Sequence, residues 1–168
     1  MEFNEAKQKF IQTWGTFGSG WGINRTMAQI HALLLVSHEA LSTEEIMEEL
    51  NISRGNANMN IRALIEWGIV FKELKAGERK EYFYTGKDIW ALARQIASER
   101  KRREIEPVVS MIEQLEQFDQ EPEAEEQAEF IEMLGNIKSF TIQANGLVDK
   151  FTRSDQHWFY KNLLKLVK

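Results

Sequence analysis

Apolar positions recur every three or four residues along most of this chain, and one stretch departs from that period. Residues 3–18 put Phe3, Ala6, Phe10, Thr13/Trp14 and Phe17 on one stripe, with Glu5, Lys7, Gln8 and Lys9 elsewhere, which predicts an amphipathic helix. Glycines at 15, 18, 20 and 22 are expected to loosen its end. A second helix is predicted over 24–37, capped by Asn24 and burying Met27, Ile30, Leu34 and Leu35. Leu41-Ser42-Thr43-Glu44-Glu45 has the spacing of a capping box, and the helix it opens buries Ile46, Met47 and Leu50. Ser53 caps the next helix, which runs to Trp67 and stops at Gly68. From Ile69 the period changes to two. Residues 69–74 and 81–85 are β-prone runs around the polar, glycine-containing 75–80, the pattern of a β-hairpin. Asp88 then caps a long helical pattern through Phe118, interrupted near 104–106 by Pro107, with Ile105, Val108, Ile112 and Leu115 spaced as a helix seam. A Glu/Gln-rich joint at 116–126, containing Pro122, leads to a helix over about 124–145. A last one, around 155–167, is capped by Ser154 or Asp155. The pattern predicts a mainly α chain with a small β-hairpin wing: a winged helix-turn-helix domain over 1–87 and a helical dimerisation region over 88–168, with the first helix shared with the dimer interface.

Composition narrows the class. Of 168 residues, 43% are apolar and 28% charged, enough for a core and against wholesale disorder. The longest apolar run, residues 32–36, is far too short to span a membrane, and the first residues lack the basic patch and apolar stretch of a signal peptide. With no cysteine, disulfides, thiolate metal sites and cysteine nucleophiles are excluded, and a cytoplasmic location is expected. Two prolines and ten glycines favour long helices over a turn-rich β fold.

The net charge of −5 is unevenly spread. Residues 1–52 carry −4, residues 53–103 carry +6 and residues 104–168 carry −7. The positive segment is the one with the helix-turn-helix and hairpin, so a nucleic-acid partner is open despite the acidic total. On a helical wheel Ala57, Ile61, Leu64 and Ile65 form the buried face of the 53–67 helix, and Gly55, Asn56, Asn58, Met59 and Arg62 its other side. Asn and Arg read adenine and guanine edges through paired hydrogen bonds, whereas three asparagines at 56, 58 and 60 are poor helix filler. Gly55 lets the helix N-terminus approach a phosphate. Ser53 and Arg54 at that N-terminus, and Thr43 at the start of the preceding helix, complete the candidate surface. On the hairpin tip Arg79 and Lys80 are placed to enter a minor groove, where the negative potential is strongest. An ordinary capped surface helix with a solvated turn is the plain alternative.

The stretch from Ile46 to Asn60, with Leu64, Trp67-Gly68 and Gly77-Glu78-Arg79-Lys80, resembles the MarR-type winged-helix repressors and, within them, the GbsR-like branch (glycine-betaine-synthesis regulator type). The similarity spans about residues 3–103 and is specific across 41–84. The resemblance implies a homodimeric transcription regulator that docks the 53–67 helix in the major groove of double-stranded DNA; a two-fold dimer places two such helices one DNA turn apart, so the operator is expected to be an inverted repeat. It also implies effector control in some members, choline being one ligand type.

Other groupings carry less. Arg100-Lys101-Arg102-Arg103 could touch phosphates, but pairing with the acidic 116–132 segment is the better expectation. His31 and His38 lack a third ligand at metal spacing, so no metal site is expected. Gly18-Ser19-Gly20 lacks the Gly-Lys-Ser/Thr ending of a phosphate loop. No nucleophile grouping has a recognisable context; neither an enzyme nor a bound cofactor is expected. Trp14, Trp21 and Trp90 could wall a site for a quaternary ammonium effector, although tryptophans at helical spacing are more often core and interface anchors. The rival reading of the whole chain is a winged-helix protein-interaction module without specific DNA binding.

Overall fold

The computed structural model describes residues 1–115 and 125–154. The expected joint at 116–126 lies largely outside them, as do residues 116–118 and the final helix with its apolar stripe. The chain divides into two compact units, Met1–Leu92 and Ala93–Lys168.

The first unit holds helices α1 (Phe3–Gly20), α2 (Arg25–Val36), α3 (Thr43–Leu50) and α4 (Arg54–Glu66), with strands β1 (Leu41–Ser42), β2 (Phe71–Leu74) and β3 (Glu81–Tyr84). The three strands form one antiparallel sheet in the order β1-β3-β2. β3 pairs with β2 as the expected hairpin, Lys72 opposite Phe83, and with β1 through Leu41 opposite Phe83 and Ser42 opposite Tyr82. β1 was not anticipated, because two residues are too few to display a period. Phe83 is the hairpin residue that turns inward. It joins Ile30, Leu33 and Leu34 of α2, Ile46 of α3, Ala57, Ile61 and Leu64 of α4, and Ile69 and Val70 in a continuous core. Within the expected buried sets, Leu35, Met47, Leu50 and Ile65 are only half-buried, while Leu33 is completely covered.

α1 does not bury the stripe its aromatics suggest. Phe3, Ala6 and Phe17 are exposed and Phe10 and Trp14 half-buried; the inward face is Ile11, Gly15 and Gly18. Far from loosening the helix, Gly15 and Gly18 let α2 pack close. A Cβ on Gly18 would stand 2.4 Å from the Ala28 Cβ, and one on Gly15 would stand 2.5 Å from the Gln29 Cγ. Glycine carries no hydrophobic signal, so the real packing stripe is silent in a hydropathy pattern.

Local start and stop signals hold. The Asn24 side chain accepts from Met27 N–H at 3.1 Å, and Asp88 Oδ1 accepts from Trp90 and Ala91 N–H at 2.9 and 3.0 Å. Gly68 (φ +68°) ends α4, with Gly68 N–H bonded to the Ile65 carbonyl and Ile69 N–H to that of Leu64.

α5 (Ile89–Arg100) crosses from the first unit into the second, which continues through a π-helical turn (Lys101–Ile105), α6 (Glu106–Leu115) and α7 (Glu125–Arg153). The interruption expected from Pro107 takes the form of that π turn. Proline has no N–H to give the carbonyl of Arg103 and its ring crowds that oxygen, so the preceding turn widens and the helix is not broken. Ile112 and Leu134 anchor this unit. α7 was expected to end at about residue 145 and runs on to Arg153. Beyond residue 145 Val148 and Phe151 continue the partly buried face, so the helix gains by running on.

Candidate nucleic-acid interface

The reading head is positioned by short-range chemistry. Ser42 N–H and Oγ–H both donate to Glu45 Oε2 at 2.7 Å, and Glu45 N–H returns to Ser42 Oγ at 3.3 Å, closing the capping box that starts α3. These bonds, the backbone one first, hold the Glu45 carboxyl below the usual carboxylate range. α3 ends at Asn51, whose φ of +50° is left-handed, a conformation asparagine tolerates better than other residues with a side chain. The chain turns through Ile52, and Ser53 Oγ accepts from Asn56 N–H at 3.3 Å to open α4.

α4 distributes the expected contact residues unequally. Asn60 is buried, and its amide nitrogen donates to the Asn56 carbonyl at 2.9 Å and to Asn56 Oδ1 at 2.7 Å. Asn60 is therefore a packing residue, contrary to the contact role expected of all three asparagines, and the Asn56 oxygen is already occupied. Arg54 pairs with Glu44 of α3 at 2.8 Å across the turn. Gly55, Asn58, Met59 and Arg62, flanked by Ala63 and Glu66, line an open groove of about 470 Å³. Met59 is 60% exposed.

In the wing, Gly77 takes φ +83° at the tip. Lys75 Nζ stands 4.1 Å above the Tyr82 ring, and Lys72 pairs with Glu81 at 2.7 Å. Tyr82 O–H donates to the Glu78 carboxylate, which pushes the phenol up to about 12. Arg79 and Lys80 project into solvent. The Glu44 carboxyl is lowered chiefly by its own backbone N–H, then by Arg54, and more weakly by the field of Lys80. The start of α3, the first turn of α4 and the wing tip thus meet on one side. Thr43 sits there half-buried at the first position of α3.

Elsewhere in the first unit, Trp14 meets Trp21 edge-on at 6.3 Å, Phe17 stacks on Trp21 at 6.1 Å and Phe10 tilts against Trp14 at 5.4 Å. Trp90 is half-buried in the first turn of α5. His31 is buried on α2 while His38 lies beyond that helix and is exposed, so they share no helical face. Among the described residues no cluster of three or more acidic or histidine side chains could hold a metal. Two groups escaped sequence reasoning because their partners are 16 to 54 residues away. Lys87 Nζ donates to the carbonyls of Leu34, Leu35 and Ser37 at 2.7–2.8 Å, capping α2. Thr85 Oγ1 donates to the Ile69 carbonyl at 2.6 Å and lies 3.4 Å from His31 Nε2.

In the second unit the basic run makes ion pairs within the described residues, while most of the acidic segment expected as its partner, 116–124, lies outside them. Arg102 and Arg103 converge on the buried Glu99 at 2.6 and 2.5 Å, Lys101 meets Asp149 at 2.6 Å, and Arg100 meets Glu104 at 3.4 Å. The Arg102 hydrogen bonds, with those of Arg103 behind them, hold Glu99 down to about 2.

No helix among the described residues is long and apolar enough to cross a membrane. No curated protein matches the chain. Among solved structures it is similar to a chain described as a transcriptional regulator, with a TM-score of 0.68 and 20% identity over 88% of this chain and 95% of that one. It also aligns with the adhesin competence repressor AdcR of Streptococcus pyogenes, at 18% identity over 86% of this chain and 99% of that one. The TM-score there is 0.37. Residues 21–81, from the end of α1 to the start of β3, match the MarR family. The unit built on α3, α4 and the wing has the winged helix-turn-helix fold.

Proposed function

We propose that this protein is a sequence-specific DNA-binding transcriptional regulator, a repressor of the GbsR-like branch, that works in the cytoplasm as a homodimer. Its α4 enters the major groove of an inverted-repeat operator and its wing reaches the neighbouring minor groove. The observation that carries this reading is the polar, solvent-facing groove of Gly55, Asn58, Met59 and Arg62 beside a wing tip bearing Arg79 and Lys80. Asn58 and Arg62 are the base readers; Ser53, Arg54, Asn56 and Thr43 hold the helix and lie against the phosphates, and Arg79 and Lys80 neutralise them.

Fluorescence anisotropy on DNA from the protein's own upstream region, at two salt concentrations, tests it. Arg62→Ala or Asn58→Ala costs affinity for the specific site by about 5- to 150-fold, a base-reading contact being worth ~1–3 kcal/mol. Arg79→Ala weakens binding to all sequences alike and lowers the salt slope by about one. Folded variants that bind as the parent does would overturn this docking, and no DNA binding even at low salt would leave the protein-interaction module standing.

The exposed Trp21, walled by Trp14 and Phe17, supports a quaternary ammonium effector as a further part of this reading. Such a cation binds aromatic faces at ~0.5–2 kcal/mol each and acts on DNA only if it prefers one conformation of the dimer. Millimolar choline or glycine betaine quenches tryptophan fluorescence and weakens operator binding, and Trp21→Ala removes both effects. Calorimetry without heat, together with unchanged DNA affinity, would reduce these rings, and Trp90 with them, to packing residues.

A further inference from the structure

α7 carries two apolar strips. Leu134, Thr141 and Val148, seven residues apart, turn into the second unit. About a quarter-turn away run Phe130, Met133, Ile137, Phe140, Ala144 and Leu147, spaced 3-4-3-4-3. That strip faces solvent: Phe140 is 74% exposed, Leu147 68%, and Phe130 and Met133 57% each. A period of 3.5 maintained over two and a half heptads is the seam of a helix that pairs with another helix, since a straight helix on an irregular surface needs no such regularity.

The charges beside the seam select its occupant. The N-terminal end of α7 is acidic, with Glu125, Glu126, Glu129 and Glu132, and the C-terminal end carries Lys150 and Arg153, the intervening Asp149 being paired with Lys101. The positions bordering the seam on its open side are Glu129, Asn136, Gln143 and Lys150. We propose that α7 pairs antiparallel with α7 of a second copy of this chain. The layers are Phe130 with the second copy's Leu147, Met133 with Ala144, and Ile137 with Phe140, each occurring twice about a two-fold axis between Ile137 and Phe140. In that register Glu129 faces Lys150 and Asn136 faces Gln143 across the flank, so every open flank position meets a complementary partner. A parallel pair would stack the acidic ends on each other. It would also set the flank residues against Leu134, Thr141 and Val148, which pack inside their own unit. Six seam residues from each copy and their flanks cover on the order of 1,200 Å² in total, enough for a specific interface.

This inference rests on the homodimer reading and names its contact surface. The absence of cysteine makes the test clean. The double variant E129C/K150C, treated with a short bismaleimide, gives a covalent dimer, whereas E129C alone gives none, because its two copies stand roughly 30 Å apart along the helices. Phe140→Glu weakens association at least tenfold in sedimentation equilibrium while leaving helical circular dichroism intact. A parent chain that sediments as a monomer overturns the homodimer and the seam together. A dimeric parent whose double variant stays uncrosslinked overturns the seam alone; something else, residues 155–168 of the same chain included, then covers it. Crosslinking of E129C by itself overturns the antiparallel register.

Discussion

Gly18→Val lowers the melting temperature of this protein by roughly 6–12 °C, the equivalent of about 3 kcal/mol for a chain of this size. By intrinsic propensity the exchange should help, since glycine is the least favourable helix residue after proline. The tertiary contact reverses the sign. Even a methyl at position 18 stands 2.4 Å from the Ala28 Cβ, and the buried Ala28 belongs to the rigid middle of α2, so no flexible side-chain end can swing aside. The helices must separate, at a cost of ~1–3 kcal/mol for added methyl groups and at the top of that range for a branched one. Gly20→Ala is the control. A Cβ there meets nothing within 4 Å, so the substitution is neutral to stabilising by up to ~1 kcal/mol. Thermal melts followed by circular dichroism decide it; if both variants shift in the same direction, the close approach of α1 and α2 does not govern this interface.

Acid unfolding begins well before the carboxylates titrate, and His31 causes it. The ring is buried, and burial first, then the nearby charge of Lys87, lowers it from 6.5 to about 4. The folded state therefore binds its proton later than the unfolded chain does. The stability due to neutral His31 is complete above pH 6.5, falls as the pH drops from 6.5 towards 4, and is gone below that. The full loss is about 3 kcal/mol at 1.36 kcal/mol per unit. Glu45, Glu99 and Asp149 are held below their ordinary range by hydrogen bonds, so their contributions fade only below about pH 4.5. His31→Met keeps the volume, removes the titration and leaves Thr85 bonded to the Ile69 carbonyl. Urea midpoints measured from pH 7 to 4 fall steeply for the parent and stay nearly flat for the variant. Parallel curves would mean that protonation elsewhere opens the first unit.

The features legible in the sequence share one property: each is settled within about four residues. Asn24, Ser42 with Glu45, Ser53 and Asp88 satisfy N–H groups one turn ahead, and Gly68 and Gly77 supply the positive φ their turns require. The change of period at Ile69 likewise marked the wing without reference to anything distant. The candidate interface was readable to the same depth. Asn58, Met59 and Arg62 face outward as the wheel places them, but the wheel could not tell that Asn60 would turn in to bond Asn56, or that Glu44 would hold Arg54.

Local hydrogen bonding, periodicity and turn stereochemistry are properties of neighbours, and from them the sequence by itself determined the order of the first four helices and the hairpin, their caps and the outward side of α4. Which faces meet was decided only by the tertiary structure, because close approach depends on what is absent as much as on what is apolar. The missing side chains of Gly15 and Gly18, and not the aromatic stripe of α1, admit α2. Lys87 reaches back about fifty residues to the end of α2, Leu41 and Ser42 become a strand only because β3 lies beside them, and Glu99 gathers two arginines from the turn that Pro107 widens. A hydropathy pattern records what each residue would gain by leaving water, and it contains no information about the distance at which two backbones stop.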